Sequence, residues 1–372
     1  MKQKGMIVKI VLCVLLLSTL CGFKLFPRDI NIIFTSDVHS TMNNSMNYAS
    51  VKRFKDILKQ KSSYVTLIDG GDYSLDGGLG DDSKGEAIIE IMNDIGYDIA
   101  TLGNHEFDKG IDVAKKNIDD ANFDIIGCNI RYTGDKEDPF TNVKPYVVKK
   151  YGSTKVAYVG ILTPDTTMSN KKSYRNCQEN GKVVVDFYAN PNDPDEDGSK
   201  IYDVIQSTVD EARQKANYVV AVAHIGINSN PVINSYDLAS YTHGIDIILD
   251  AHSHKEVDER LTNNEGKSVV LFAVGKEMEK IGHIAIKTNG TIETEMVTDI
   301  ERDPVVDSKI QTLIEKYAQI REEEEARQRE IEEELQREQE KANLIKEKWN
   351  SLLKPKSYKE SLEERINKNS EN

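Results

Sequence analysis

The chain has 372 residues, with 48 Lys and Arg against 62 Asp and Glu and a formal net charge of -14. That length buries a real core in one large or two ordinary domains. The acidic balance excludes a nucleic-acid duplex as partner, because phosphate binding needs a surplus of Lys and Arg. The acidity is uneven: from Arg321 to Lys341 there are ten Glu against five Lys and Arg.

Residues 1–28 read as a signal peptide or membrane anchor. Lys2, Lys4 and Lys9 precede an apolar run from Ile10 to Phe23, about the length of a signal core and short for a spanning helix. No small-x-small cleavage site follows, and Leu20 is too bulky for a good lipid-attachment motif at Cys21. Cleavage and retention as an anchor both stay open, and either places the protein outside the cytoplasm, secreted or membrane-anchored. Cys13 and Cys21 fall in this stretch. Cys128 and Cys177 could pair in an exported protein, although Cys128, ending the run Ile125-Ile126-Gly127, reads as a buried thiol.

From Ile30 the pattern alternates between strand and helix. Strands are expected at Ile30–Thr35, Tyr64–Ile68, Asp98–Leu102 and Asp124–Gly127. Helices are expected at Tyr48–Gln60, Gly85–Ile95 and Ile111–Asp120, where apolar residues recur at helical spacing. Such alternation means parallel strands joined by crossover helices, with polar groups collecting at the strands' C-terminal ends. Further strands are expected at Tyr146–Lys149, Lys155–Leu162, Tyr218–Val222, Gly244–Asp250, Ser268–Val274, His283–Lys287 and Thr291–Val297, with a helix at Ile201–Lys215. The run Asp193 to Gly198 imitates the start of a calcium loop. Its twelfth position is Val204, where a bidentate Glu is needed, so the run reads as a solvated turn.

At Asp303-Pro304 the texture changes, since Asp caps helices well and Pro suits the first helical turn. A helix then runs to about Leu353 and stops before Pro355. Ile310, Leu313, Tyr317 and Ile320 keep a 3-4 rhythm that fails at Glu324 and Arg327 and partly resumes from Ile331. Its first turns should pack on the preceding domain. The Glu/Arg section is either a weak coiled coil, through which the protein would oligomerise, or a solvated helix held by i,i+4 pairs. The expected layout is a leader over 1–28, a catalytic domain over 29–303, a charged helix over 304–353 and a disordered tail over 354–372.

Five polar clusters end the apolar runs: Asp37-Val38-His39, Gly70-Gly71-Asp72, Gly103-Asn104-His105-Glu106, Ala223-His224 and Ala251-His252-Ser253-His254. They hold five of the seven histidines, leaving His243 and His283 as structural residues and Asp69 and Asp76 as turn or supporting groups. Carboxylate, imidazole and amide donors gathered from several strand ends suit two adjacent divalent cations, of zinc, manganese, iron or cobalt type. A hydroxide held there at neutral pH would attack phosphorus while the cations clamp the phosphoryl oxygens. Asp72 is the natural bridge, because Gly70 and Gly71 let the backbone turn tightly before it.

This ordered set resembles the calcineurin-like metallophosphoesterases, and most of all the catalytic domain of the bacterial 5′-nucleotidase branch, which includes 2′,3′-cyclic phosphodiesterases. The resemblance covers about Ile30 to Tyr317 and includes Gly103 to Asp108 and Gly244 to Ile248. It implies an α/β fold, an αββα four-layer sandwich. One metal would be held by Asp37, His39, Asp72 and His254, and the other by Asp72, Asn104, His224 and His252. It makes His105 the residue that stabilises the phosphoryl transition state or assists the leaving oxygen, with Asp108 orienting its ring. Ala251 departs from the Gly usual in the family, adding one methyl near the metals. The expected layout also lacks the second domain that clamps the base in full-length 5′-nucleotidases. The expected function is an exported phosphoesterase acting on a small phosphate ester, a nucleotide first, with a cyclic nucleotide or other diester as the alternative. A binding or oligomerising role through the C-terminal helix is a further reading.

Overall fold

A computed structural model describes residues 28–164, 176–188, 199–228, 232–353 and 358–370. The expected leader up to residue 27 and the turn from Asp193 to Gly198 lie outside these residues. No helix among the described residues is long and apolar enough to cross a membrane.

Twelve strands build two sheets: β1 Ile30–Thr35, β2 Val65–Asp69, β3 Ile99–Thr101, β4 Asp124–Ile126, β5 Tyr146–Tyr151, β6 Thr154–Leu162, β7 Tyr218–His224, β8 Ile247–Asp250, β9 Glu256–Thr262, β10 Ser268–Val274, β11 Ile281–Ile286 and β12 Ile292–Val297. The first sheet has the order β12-β11-β1-β2-β3-β4 and the second β9-β10-β8-β7-β6-β5. Strands β1 to β4 are parallel, as are β6, β7, β8 and β10. Antiparallel strands flank both groups, so both parallel cores send their C-terminal ends to loops that can carry function.

Between the sheets, Ile32, Phe34, Ile68 and Ile99 of the first share one core with Tyr158, Val220, Val222, Leu249 and Phe272 of the second. Alternation along β7 turns Val219 and Ala221 the other way, onto Ile201, Ile205, Val209 and Ala212 of a helix at Ser199–Lys215. Each fully buried Val or Ile contributes about 1.5–3 kcal/mol relative to exposure, which is why β7 tolerates no polar residue before its end. Against β2 lies the helix Tyr48–Lys61, which also touches the helix Glu86–Ile95. Its start is set by Asn47, whose side chain accepts from the Ala49 N–H at 2.8 Å, and Lys59 and Lys61 complement the dipole of its last turn. The result is the expected four layers.

The differences from the sequence reading have local causes. The edge strand Glu256–Thr262 went unanticipated because its sequence, EVDERLT, is charged and mostly exposed, as edges often are. A short helix at Gly78–Ser83 precedes Glu86–Ile95, and another at Ser235–Tyr241 begins at Asn234, whose side chain accepts from the Asp237 N–H. Cys128 and Cys177 are free, so the disulfide left open by the sequence is not formed. Burial pushes both thiols up to about 12. The tail expected to be disordered contains a helix, Tyr358–Asn369, bearing Leu362 and Ile366 on one side.

The long helix spans Pro304–Leu353 as expected. The chain divides into two compact units, Met1–Glu315 and Lys316–Asn372, so the division falls inside this helix. Within the first unit Asp303 caps the helix, accepting from the Val305 and Val306 N–H groups at 3.0 Å each. Ile310 and Leu313 are buried, and Lys309 bonds Glu90 at 2.8 Å and also Asp94. Within the second unit no residue of the helix is buried, and from Arg321 to Leu353 every one is exposed.

Candidate metal centre

The seven proposed ligands and His105 lie at or just beyond the C-terminal ends of parallel strands. Asp37 and His39 follow β1, Asp72 follows β2, and Asn104 and His105 follow β3. His224 closes β7, while His252 and His254 follow β8. The two sheets therefore aim these loops at each other. Asp37, His39 and His254 form one group with ligand atoms within 4.8 Å of one another, and Asp72, His224 and His252 form a second. His39 Nε2 lies 2.9 Å from His254 Nε2, and His254 Nε2 lies 3.7 Å from Asp37 Oδ1. Asp72 Oδ2 is 3.0 Å from His224 Nε2. Asp72 also belongs to a group with His39 and His105, which links the two halves.

Five of the seven proposed ligands adopt left-handed backbone: Asp37 (φ 49°), His39 (47°), Asp72 (56°), His252 (79°) and His254 (56°). Such conformations cost on the order of 1 kcal/mol or more each for non-glycine residues and gather at functional sites. The strain is held by cross-bonds between the loops. Asp37 N–H donates to the Gly71 carbonyl at 3.0 Å and His39 N–H to the Asp72 carbonyl at 2.9 Å. Asp37 Oδ1 accepts from the His252 N–H, and Asp72 Oδ1 from the His105 N–H, both at 2.8 Å. Two glycines allow the approach. A Cβ on Gly71 would sit 2.6 Å from the Gly103 nitrogen, and one on Gly103 would sit 2.1 Å from Asp72 Oδ1.

Burial pushes the Asp37 carboxyl up to about 8, and burial together with the neighbouring His39 pushes His254 down to about 4. Burial also opposes ionised Asp72, but His224, His105 and His39 hold its carboxyl below the usual range. Burial would lower His105 as well, yet the Asp108 hydrogen bond and the charges of Asp72, Asp108 and Asp76 raise it to about 9. Buried Asp37 Oδ2 and Asn104 Oδ1 have no hydrogen-bond partner. An unpartnered buried oxygen costs about 1–3 kcal/mol, and a divalent cation is a suitable partner for both. The donor set fits divalent metal.

His105 Nδ1 lies 2.6 Å from Asp108 Oδ2, and its Nε2 is turned toward the centre, 3.7 Å from Asp76 Oδ2. Asp76, set aside in the sequence as a turn or supporting group, thus stands beside two imidazoles of the centre: its Oδ2 is also 3.3 Å from His39 Nδ1. Asp69 is the turn residue expected, accepting from Thr35 Oγ1 at 2.6 Å and the Gly71 N–H at 2.9 Å. His283 bonds Asn31 and His243 pairs with Asp210, so neither joins the centre.

Sequence reasoning gave no role to Glu106. Its buried carboxylate accepts from the backbone N–H groups of Asp72, Tyr73, Ser74 and Gly103 at 2.7–3.0 Å, and from Ser74 Oγ at 3.1 Å. It ties the loop after β2 to the loop after β3 and so fixes the distance from Asp72 to Asn104. Its place inside Gly103–Asp108 was the available signal. Replacing Glu106 by Ala should lower unfolding stability by about 3 kcal/mol, because four buried N–H groups lose their acceptor. Urea unfolding at constant m-value checks this, and an unchanged midpoint would show that water satisfies these groups.

A family description, calcineurin-like phosphoesterase, matches residues 30–256. The chain is 26% identical over 304 residues to the trifunctional nucleotide phosphoesterase protein YfkN of Bacillus subtilis, covering 72% of this chain and 19% of that one. It is 27% identical over 260 residues to a 2′,3′-cyclic-nucleotide 2′-phosphodiesterase/3′-nucleotidase of Haemophilus influenzae, covering 61% and 36%. Against a 5′-nucleotidase of Vibrio cholerae it is 28% identical over 282 residues, covering 69% and 47%. The chain therefore spans less than half the length of these three relatives. The fold is similar to that of a solved 5′-nucleotidase precursor from Thermus thermophilus, with a TM-score of 0.63 at 20% identity over 78% of this chain and 58% of that one.

Proposed function

The chain belongs to the calcineurin-like phosphoesterases, which makes it a metal-dependent phosphoric ester hydrolase, and from that premise we propose that it cleaves nucleotide phosphomonoesters at a pair of divalent cations. Asp37, His39, Asp72 and His254 would hold one cation, and Asp72, Asn104, His224 and His252 the other, with Asp72 shared. When bound, such a pair supplies a nucleophile at neutral pH and neutralises charge on the phosphoryl oxygens. The observation that carries the reading is the pair of donor groups facing each other across the two sheets, with Asp37 Oδ2 and Asn104 Oδ1 buried and unpartnered.

The remaining work falls to His105. Asp108 fixes its ring through Nδ1 and favours the imidazolium form, leaving Nε2–H to donate to a phosphoryl or leaving oxygen. Asp108 is itself held by packing: Asn176 donates to its backbone carbonyl. Asp108→Asn keeps the shape and removes the charge. It should lower kcat by roughly 100-fold with little change in KM. A raised KM at unchanged kcat would instead mean a binding role.

Nucleotides are proposed as substrates because the relatives bear nucleotidase and nucleotide phosphoesterase names. A second reading, a 2′,3′-cyclic nucleotide diester, is supported by the similar identity to the Haemophilus influenzae protein. We assign catalysis to residues 29–303 and an extracytoplasmic location to the leader with Lys2, Lys4 and Lys9. Cell fractionation tests the location. Turnover of AMP, a 2′,3′-cyclic nucleotide, an aryl phosphate and its diester, with manganese or zinc added, tests the activity. A higher kcat/KM for AMP is expected. Preference for the diesters would move the protein to phosphodiesterase chemistry, and no turnover with metal bound would overturn the enzymatic reading of this site.

A further inference from the structure

The helix Pro304–Leu353 outruns anything the catalytic site needs. Beyond Glu315 it belongs to a separate compact unit in which no residue of the helix is buried. Yet Ile331, Leu335, Ala342, Ile345, Trp349 and Leu352, with Glu338 between them, follow one another at alternating intervals of four and three residues. That interval is the seam of a coiled coil and not of a solvated helix. The large members of this row are 46–73% exposed.

The charges beside the row say what covers it. From Glu322 to Glu340 the helix carries ten Glu and three Arg, while Lys341 to Lys354 carries four Lys and one Glu. The acidic half stacks like charges at i,i+4, as in Glu330, Glu334 and Glu338, an arrangement that destabilises an isolated helix. A partner that sets a basic stretch against this half relieves it, and the chain contains one.

We propose that this face pairs with the same face of a second copy of the chain, antiparallel, about a twofold axis at residue 340. In that register Ile331 meets Trp349 of the second copy and Leu335 meets its Ile345. Glu338 packs on the small Ala342 of the other helix. The flanking positions then place Glu332 opposite Lys346 and Glu334 opposite Lys348, each pair occurring twice, against one repulsive pair, Lys341 with its own copy at the axis. A parallel pairing in the heptad register does worse: it opposes Lys341 to Lys346, and Arg327 to Glu332 is its only attractive pair. Flanking charge therefore selects the antiparallel orientation. The seam from Gln328 to Leu352 is 25 residues, roughly 37 Å of helix at 1.5 Å per residue.

The experiment uses the full chain and needs no label, because Trp349 is the only tryptophan. Wild type should sediment at twice its chain mass, and dilution should move Trp349 emission to longer wavelength as the dimer dissociates. K346E combined with K348E should give a monomer with the emission of the diluted protein and unchanged turnover per chain. Adding E332K and E334K to the same chain should restore the dimer. All four positions are exposed, and circular dichroism verifies that the helix persists in each variant. Wild type that stays monomeric with concentration-independent emission would overturn the proposal. So would a K346E/K348E chain that stays dimeric, or a fourfold variant that stays monomeric.

Discussion

Replacing Asp72 by Asn should reduce turnover by at least about a thousandfold, equivalent to roughly 4 kcal/mol of transition-state stabilisation, while the fold stays intact. The Asn side chain retains Oδ1, so the bond from the His105 N–H at 2.8 Å survives. What disappears is the negative charge between the two donor groups, at an oxygen 3.0 Å from His224 Nε2. An amide offers one oxygen where the shared position asks for two. Removing the carboxylate also takes away the buried partner of His224, so the melting temperature measured without metal should fall by several degrees. Steady-state rates beside circular dichroism separate the two effects. Wild-type rates in a folded Asp72→Asn protein would remove Asp72 from the centre, whereas an unfolded variant would make Asp72 a structural residue.

Stripping divalent metal should have the second large effect. Turnover should fall to background with a chelator and return on adding manganese, zinc, cobalt or iron. Stability should follow, because a ligand present at about a thousand times its Kd stabilises the state that binds it by about 4 kcal/mol. For a domain of this size that corresponds to roughly 7 °C in melting temperature. The physical reason lies in Asp37 Oδ2 and Asn104 Oδ1, which are buried and find no protein donor, and in the left-handed loops that carry five of the proposed ligands. Without metal, both costs stand unopposed. Equal melting curves with and without chelator, together with metal-free protein by elemental analysis, would separate this centre from metal binding.

The fold was legible wherever burial dictated side chains. The parallel strands read as continuous apolar runs because both of their faces are covered, as in Tyr218–His224, and the helices as 3-4 spacings because one face is. The strand Glu256–Thr262 was illegible because a partly exposed edge leaves its side chains almost unconstrained. The helix Tyr358–Asn369 was missed because its composition is that of a solvated segment, with only Leu362 and Ile366 to mark it. Ile310 and Leu313 did signal that the long helix starts within the first unit, where both are buried.

At the centre the division is sharper. The sequence by itself determined the donor types, their order and their places at strand ends, because metal chemistry restricts a ligand to a few side chains and the parallel sheet restricts it to one end. The tertiary structure gives the distances at which these donors meet and at which Asp108 holds the His105 ring, and it alone decided that Asp76 stands beside His39 and His105. It alone disclosed Glu106 as the tie between two ligand loops. A hydrogen bond to a backbone N–H depends on where the chain runs and leaves no trace in the identity of the residue that donates it.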